Sequence, residues 1–166
     1  PAYLTMIEYK TAALIECCLA LGAILAEAGS ENVDHLRAFG RNIGLAFQMQ
    51  DDILDTFGDP EKFGKKVGGD IVQNKKTFLF LKALEQADSA TQARLLSLYE
   101  VKKEDNTQKI KEVKAIFEYL KVDVMAAKAK DEYLEKAFAA LELVAVKEER
   151  KQYLRKTAHD LMNREL

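Results

Sequence analysis

The sequence has 166 residues, 48% hydrophobic and 31% charged, and its 27 acidic against 25 basic side chains leave a formal charge of −2. That balance excludes the strongly basic profile of a nucleic-acid-binding protein. Two prolines and eight glycines are too few breakers for a β-sandwich, a collagen or a disordered linker, so the expectation is one mostly helical domain over residues 1–166.

The chain starts at Pro1 rather than Met and enters a helical pattern at once, as a piece cut from something longer would. From Ala2 to Ala28 good helix formers carry Leu4, Ile7, Thr11, Leu14, Ile15, Cys18, Leu21 and Leu25 at steps of three and four, which predicts one long helix loosened at Gly22 and stopped at Gly29. Ser30 to Asp34 offers several N-caps for a second helix from about Val33 to Phe57, closed by Gly58, Asp59 and Pro60. Residues 58–69 (GDPEKFGKKVGG) hold four of the eight glycines and read as a loop.

A third helix is expected from Lys75 or Lys76, a short one around Thr91 to Tyr99, and another from Asn106 through Leu120, after the solvated run KKEDNTQK at 102–109. From Val122 onward Tyr133, Ala137, Leu141 and Val144, flanked by Leu134, Phe138 and Ala145, form the apolar face of a bundle helix. The last helix runs from Lys147 to about Asn163, apolar at Tyr153, Leu154, Ala158, Leu161 and Met162, with KEERK at 147–151 as a solvated face.

Cys17 and Cys18 are adjacent, a poor geometry for a bridge, and read as bundle filler in a reducing cytoplasm. His35 and His159 read as surface or packing histidines. No stretch approaches the ~20 apolar residues of a membrane span.

The chemistry-bearing octapeptide is QMQDDILD at 48–55. On a helix Gln48, Asp51, Asp52 and Asp55 are offset by three, four and seven, which places all four on one face and three carboxylates in one patch. Like charges so spaced repel, and a cation in a cavity would offset the repulsion. All-oxygen ligation from one helix suits Mg²⁺, which takes one or two carboxylates and completes its shell with water and phosphate. Lysines follow across the glycine loop, in GKKVGGD at 64–70 and NKKT at 74–77, which delivers acid and base to one place as a metal-bridged diphosphate requires. The Walker pattern GxxxxGK[ST] is absent, so this is not a P-loop.

YKTA at 9–12, FQMQDDILDTFGD at 47–59, GK at 64–65, and GGDI with NKKT across 68–77 resemble, in order and spacing, the trans-isoprenyl diphosphate synthases, the farnesyl and geranylgeranyl diphosphate synthase family. The resemblance covers about the first half of the chain. It implies an all-α bundle of the isoprenoid synthase type around a deep cavity, here as its C-terminal half. It also implies a homodimer that joins isopentenyl diphosphate to an allylic diphosphate with Mg²⁺. Carried over by position, Asp51, Asp52 and Asp55 are the second aspartate-rich motif and hold the metal, with Asp51 the direct ligand. Lys10, Lys65, Lys75 and Arg164 hold substrate diphosphate. Lys10, Thr11 and Gln48 flank the reacting carbons, where Thr11 and Gln48 support the developing carbocation or help the diphosphate receive the released proton.

The family's first aspartate-rich motif, its arginine pair and most of its isopentenyl diphosphate site have no counterpart here, which implies an inactive fragment. Its missing upstream helices would leave Ile7, Leu14 and Leu45 uncovered. Two rivals differ in class: a non-catalytic helical partner subunit, and a class I terpene cyclase. Three mutually repelling carboxylates argue against the first, and the lysines after the motif argue against the second.

Overall fold

The computed structural model describes residues 2–59, 67–100 and 106–163. All regular structure among them is helical: α1 (Ala2–Ile7), a π-helical turn (Glu8–Ala12), α2 (Ala13–Leu25), α3 (Ser30–Phe57), α4 (Gly69–Val72), α5 (Phe78–Gln86), α6 (Ser89–Glu100), α7 (Thr107–Tyr119), α8 (Val122–Glu142) and α9 (Glu148–Met162). The all-α expectation holds. No described helix is long and apolar enough to cross a membrane.

The first helix departs from expectation in where its irregularity lies. The sequence points to Gly22, yet Gly22 sits inside regular α2 and the wide turn is at Glu8–Ala12, closed by the Ala13 amide on the Glu8 carbonyl. Gly44 of α3 packs against this turn, and a Cβ there would lie 2.5 Å from Ala12 Cα, so glycine is required for the approach. Such one-turn π segments re-aim side chains and recur at functional sites. The end of α2 is set by Glu27 rather than Gly29. Glu27 takes φ 56°, and the Ala28 amide reaches back to the Ala23 carbonyl at 3.0 Å, a six-to-one closure.

Contacts group the chain into two compact units, residues 1–48 with 129–164 and residues 49–128 with 165–166. In the first, Phe39 and Ile43 of α3 bury with Ala137, Ala140 and Leu141 of α8, Val144, and Ala158 of α9. Leu154 and Leu161 pack on this core, while Tyr153 turns to solvent, against the apolar role expected of it. Lys151 corrects the reading of KEERK as a solvated face: it is buried, and its Nζ donates to the Glu142 carbonyl at 2.7 Å, where a cation meets the negative end of α8. The cysteines also differ from expectation, since both thiols are free and exposed rather than packed as filler. Of the three residues expected to lose their cover, Ile7 and Leu45 are only 1% and 4% exposed, whereas Leu14 is 70% exposed. Tyr9, Leu21, Ile24 and Leu25 are exposed with it.

The second unit centres on Leu79, Phe80 and Ala83 of α5, Leu95 and Leu98 of α6, Val113 and Phe117 of α7, and Val122 and Ala126 of α8. Phe80 and Phe117 are almost fully buried, each a gain of roughly 2–3 kcal/mol by area removed from water. The helix expected from Lys75 or Lys76 begins instead at Phe78. Thr77 has extended ψ 175° and its Oγ1 accepts the Phe80 amide, which makes it the N-cap. The short α4 was not expected at all, and the solvated run at 102–109 ends sooner than read, because Thr107 already opens α7 and Lys109 is buried.

Candidate functional site

Within residues 49–128 the last two turns of α3 meet the segment that follows the glycine loop. Asp55 Oδ2 accepts the Asp70 amide at 2.8 Å, and the Asp55 carbonyl accepts the Gly68 amide at 2.6 Å. Gly68 stands at φ 90°, a conformation that L side chains rarely adopt, and a Cβ on Gly69 would come within 3.0 Å of Asp55 Oδ1. The GG of GGDI is thus what lets the backbone lie against the carboxylate. Asp70, buried, accepts the Lys75 ammonium on Oδ1 at 2.5 Å, and its carbonyl accepts the Lys75 amide at 2.9 Å.

Asp52 is only 4% exposed and its Oδ2 accepts the Phe78 amide at 3.4 Å, so it tethers the start of α5. Asp51 is exposed. The three carboxylates of DDILD therefore occupy different settings along an unbroken helix: one open to solvent, one turned in to an amide, one half-buried against the glycines.

The electrostatics follow from burial. Desolvation raises the Asp55 pKa, the Asp70 amide opposes that, and the neighbouring Asp70 charge adds to it. The hydrogen bond to Asp70 raises the Lys75 pKa. Tyr99 is pushed well above the usual phenol range, first by burial and then by the charges of Asp70 and Asp55. Burial lowers the pKa of Lys109.

Among the described residues no three His, Cys, Asp or Glu side chains stand close enough to hold a metal by themselves. The exposed Asp51 and the half-buried Asp55 offer carboxylate oxygens, the donor type of which an ion such as Mg²⁺ takes one or two, with water and phosphate completing its octahedron. A half-buried carboxylate whose burial opposes its charge is the kind of group such an ion would stabilise.

In residues 1–48, Thr11 Oγ1 donates to Gln48 Oε1 at 3.0 Å, which brings together two of the side chains assigned to the reacting carbons. Lys10 is exposed on the π-helical turn. Lys65 and Arg164, expected at the diphosphate, lie outside the described residues. A groove of about 490 Å³ lies elsewhere in the same unit, between α2 and α3, lined by Tyr9, Cys17, Leu21, Ile24 and Arg37 rather than by any of the assigned residues.

Sequence reasoning named GGDI as a motif without assigning Asp70 a task, although an Asp after two glycines was a visible signal. It missed Asn74, Tyr99 and Lys109. Lys109 lies in a polar run with nothing to mark it as buried.

The family model described as polyprenyl synthetase matches residues 1–119. A short chain isoprenyl diphosphate synthase from Methanocaldococcus jannaschii is 41% identical over 122 residues, covering 72% of this chain and 37% of that protein. Among solved structures, a geranylgeranyl pyrophosphate synthase aligns at TM-score 0.89 and 37% identity over 99% of this chain and 51% of its own. A geranylgeranyl pyrophosphate synthase from Corynebacterium glutamicum, complexed with isoprenyl diphosphate and magnesium, aligns at TM-score 0.87 and 29% identity over 98% of this chain and 46% of its own. The chain thus spans from about a third to half of the length of these relatives.

Proposed function

From the premise that this chain belongs to the polyprenyl synthetase family, we propose that it carries the second-aspartate-motif half of a Mg²⁺-dependent trans-prenyltransferase. The reaction condenses isopentenyl diphosphate with an allylic diphosphate. The observation that carries this reading is the chain of contacts from Asp55 to the Asp70 amide and from the Asp70 carboxylate to Lys75, which joins the acidic helix to the lysine segment within one unit.

In this reading Asp51 and Asp55, with Asp52 bracing α5, form the acidic side of the diphosphate site. Lys10, Lys65, Lys75 and Arg164 supply the basic side, as charge-assisted donors to phosphate oxygens. When bound, Mg²⁺ supplies positive charge to the departing diphosphate as the allylic C–O bond ionises. Thr11 and Gln48 hold each other, so their oxygens are fixed in advance for the developing carbocation instead of reorganising with it. The protein works as a cytoplasmic homodimer. Its exposed apolar residues on α1 and α2 support association, and its free thiols suit a reducing compartment. Prenyl transfer needs, in addition, a segment corresponding to the rest of its relatives, so this chain alone is inactive.

Calorimetry with inorganic pyrophosphate tests the core of the proposal. Pyrophosphate should bind only with Mg²⁺ present, and Mg²⁺ only with pyrophosphate, because a few carboxylates hold a reluctantly dehydrated ion weakly. Tight Mg²⁺ binding without pyrophosphate, or pyrophosphate binding indifferent to Mg²⁺, overturns it.

A further inference from the structure

The diphosphate site as drawn leaves one buried cation without a task. Lys109, in the first turn of α7, is only 6% exposed. Lysine is seldom so buried without compensation. Its Nζ donates to Asn74 Oδ1 and stands 5.5 Å from the centroid of the Tyr99 ring.

Asn74 is the residue that needs holding. Its φ is 56°, in the left-handed region, which Asn tolerates when its side chain is hydrogen-bonded. It directly precedes Lys75, so its conformation sets the direction in which the Lys75 ammonium leaves the backbone. The opposite end of the same segment rests on the next residue of α7: a Cβ on Gly68 would come within 2.9 Å of Ile110 Cγ2. Two consecutive α7 residues therefore support the two ends of the turn that carries Asp70 and Lys75.

We propose that Lys109 is a positioning residue for Lys75: its hydrogen bond to Asn74 fixes the left-handed residue and so aims the Lys75 ammonium at Asp70, where diphosphate would meet it. The proposal rests on the reading of the 51–77 region as a diphosphate site. Lys109 touches neither substrate nor metal in this scheme and acts through Asn74.

Three single variants of the full chain and one double variant test it, by Mg²⁺-dependent pyrophosphate affinity and by hydrogen exchange at the Lys75 amide. Lys109→Met keeps the length and the packing on Tyr99 but loses the donor, and should weaken pyrophosphate binding about tenfold and speed Lys75 exchange, as loss of a supporting contact behind a ligand does. Lys109→Arg should restore both. Asn74→Gly keeps the left-handed conformation without the acceptor, and in that background Lys109→Met should add nothing further to the pyrophosphate effect. Unchanged affinity in Lys109→Met, or a full additional loss in the Asn74→Gly background, overturns the role. If the unaltered chain binds no pyrophosphate, the functional proposal fails by itself. The exchange arm still decides the positioning claim: an unchanged Lys75 rate in Lys109→Met overturns it, and a faster one supports the hold on the turn.

Discussion

The two units differ in what they bury. Of the six buried polar or charged side chains among the described residues, five (Asp52, Thr56, Asp70, Thr77 and Lys109) belong to residues 49–128, and only Lys151 to the other unit. The other unit shows the opposite excess, with Met6, Tyr9, Leu14, Leu21, Ile24 and Leu25 all exposed within its first 25 residues. Buried polar groups cost free energy unless each finds a partner. Asp52 has the Phe78 amide, Asp70 has Lys75, Thr77 caps α5 and Lys109 has Asn74. One unit thus sets most of the buried polar side chains beside its apolar core, whereas the other exposes a run of large apolar side chains at its start.

The contrast is tested most strongly at the open carboxylate. In an assembly competent for prenyl transfer, Asp51→Ala should lower turnover by about 10² or more, the scale of removing a main electrostatic stabiliser of developing charge. Asp123→Ala, on α8, should change little. Steady-state rates for the two variants decide the matter, and equal rates would reduce DDILD to a solvated acidic stripe.

Next in size is the backbone that makes the polar interior possible. Gly68→Val places a β-branched side chain at φ 90° and pushes its Cβ to within 2.9 Å of Ile110. Left-handed strain of about 1–2 kcal/mol and overpacking of about 1–3 kcal/mol should together lower the urea midpoint of unfolding markedly. Gly22→Ala offers the control, since a Cβ there meets nothing within 4 Å and sits in regular α2, so it should be neutral or slightly stabilising.

These two glycines also show what the sequence could reveal. Helix periodicity located every long helix, because apolar residues at steps of three and four are a direct consequence of burying one face. The DDILD, GGDI and NKKT strings pointed to the carboxylates and to Lys75, because charge chemistry requires those residue types at those spacings. The π-helical turn at Glu8–Ala12 was not legible, since it depends on how closely Gly44 lets α3 approach Ala12 rather than on local propensity. Lys109 was illegible for a related reason: a lysine reads as solvated until its distant partner, Asn74, is known. Thr77 could have been read as an N-cap from its place before FLF, yet Lys75 and Lys76 are equally good helix formers, and the start is fixed by the Thr77 cap together with the tethering of the Phe78 amide by Asp52.

The apolar surface yields a smaller and concentration-dependent effect. Leu14, Leu21 and Leu25 recur at steps of seven and four along α2 and are exposed. Sedimentation velocity should show the chain self-associating in the micromolar range, and Leu21→Lys with Leu25→Lys should weaken that association about tenfold or more, as charged groups at the centre of an apolar contact do. Urea stability of the dilute variant should stay close to that of the unaltered chain, since neither side chain is buried. A chain that remains monomeric at all concentrations would mean that the exposed face of α2 is ordinary surface.

The smallest effect separates a surface ion pair from the buried polar contacts of residues 49–128. At the end of α8, Arg155 bonds Glu142 and also Glu148, the latter at 3.0 Å, and the bond from Arg155 holds the Glu142 carboxyl below its ordinary value of 4.5. A depressed carboxylate stabilises the fold above its unfolded pKa, and that contribution is lost as pH falls through the folded value. The Glu142 carbon resonance should therefore titrate below 4.5 in the unaltered chain and return toward 4.5 in Arg155→Met. Because the pair is exposed and screened by salt, the difference should shrink as ionic strength rises. If raising salt left the Glu142 midpoint unmoved, the Arg155 contact would have to be counted with the buried polar interactions instead of with the surface.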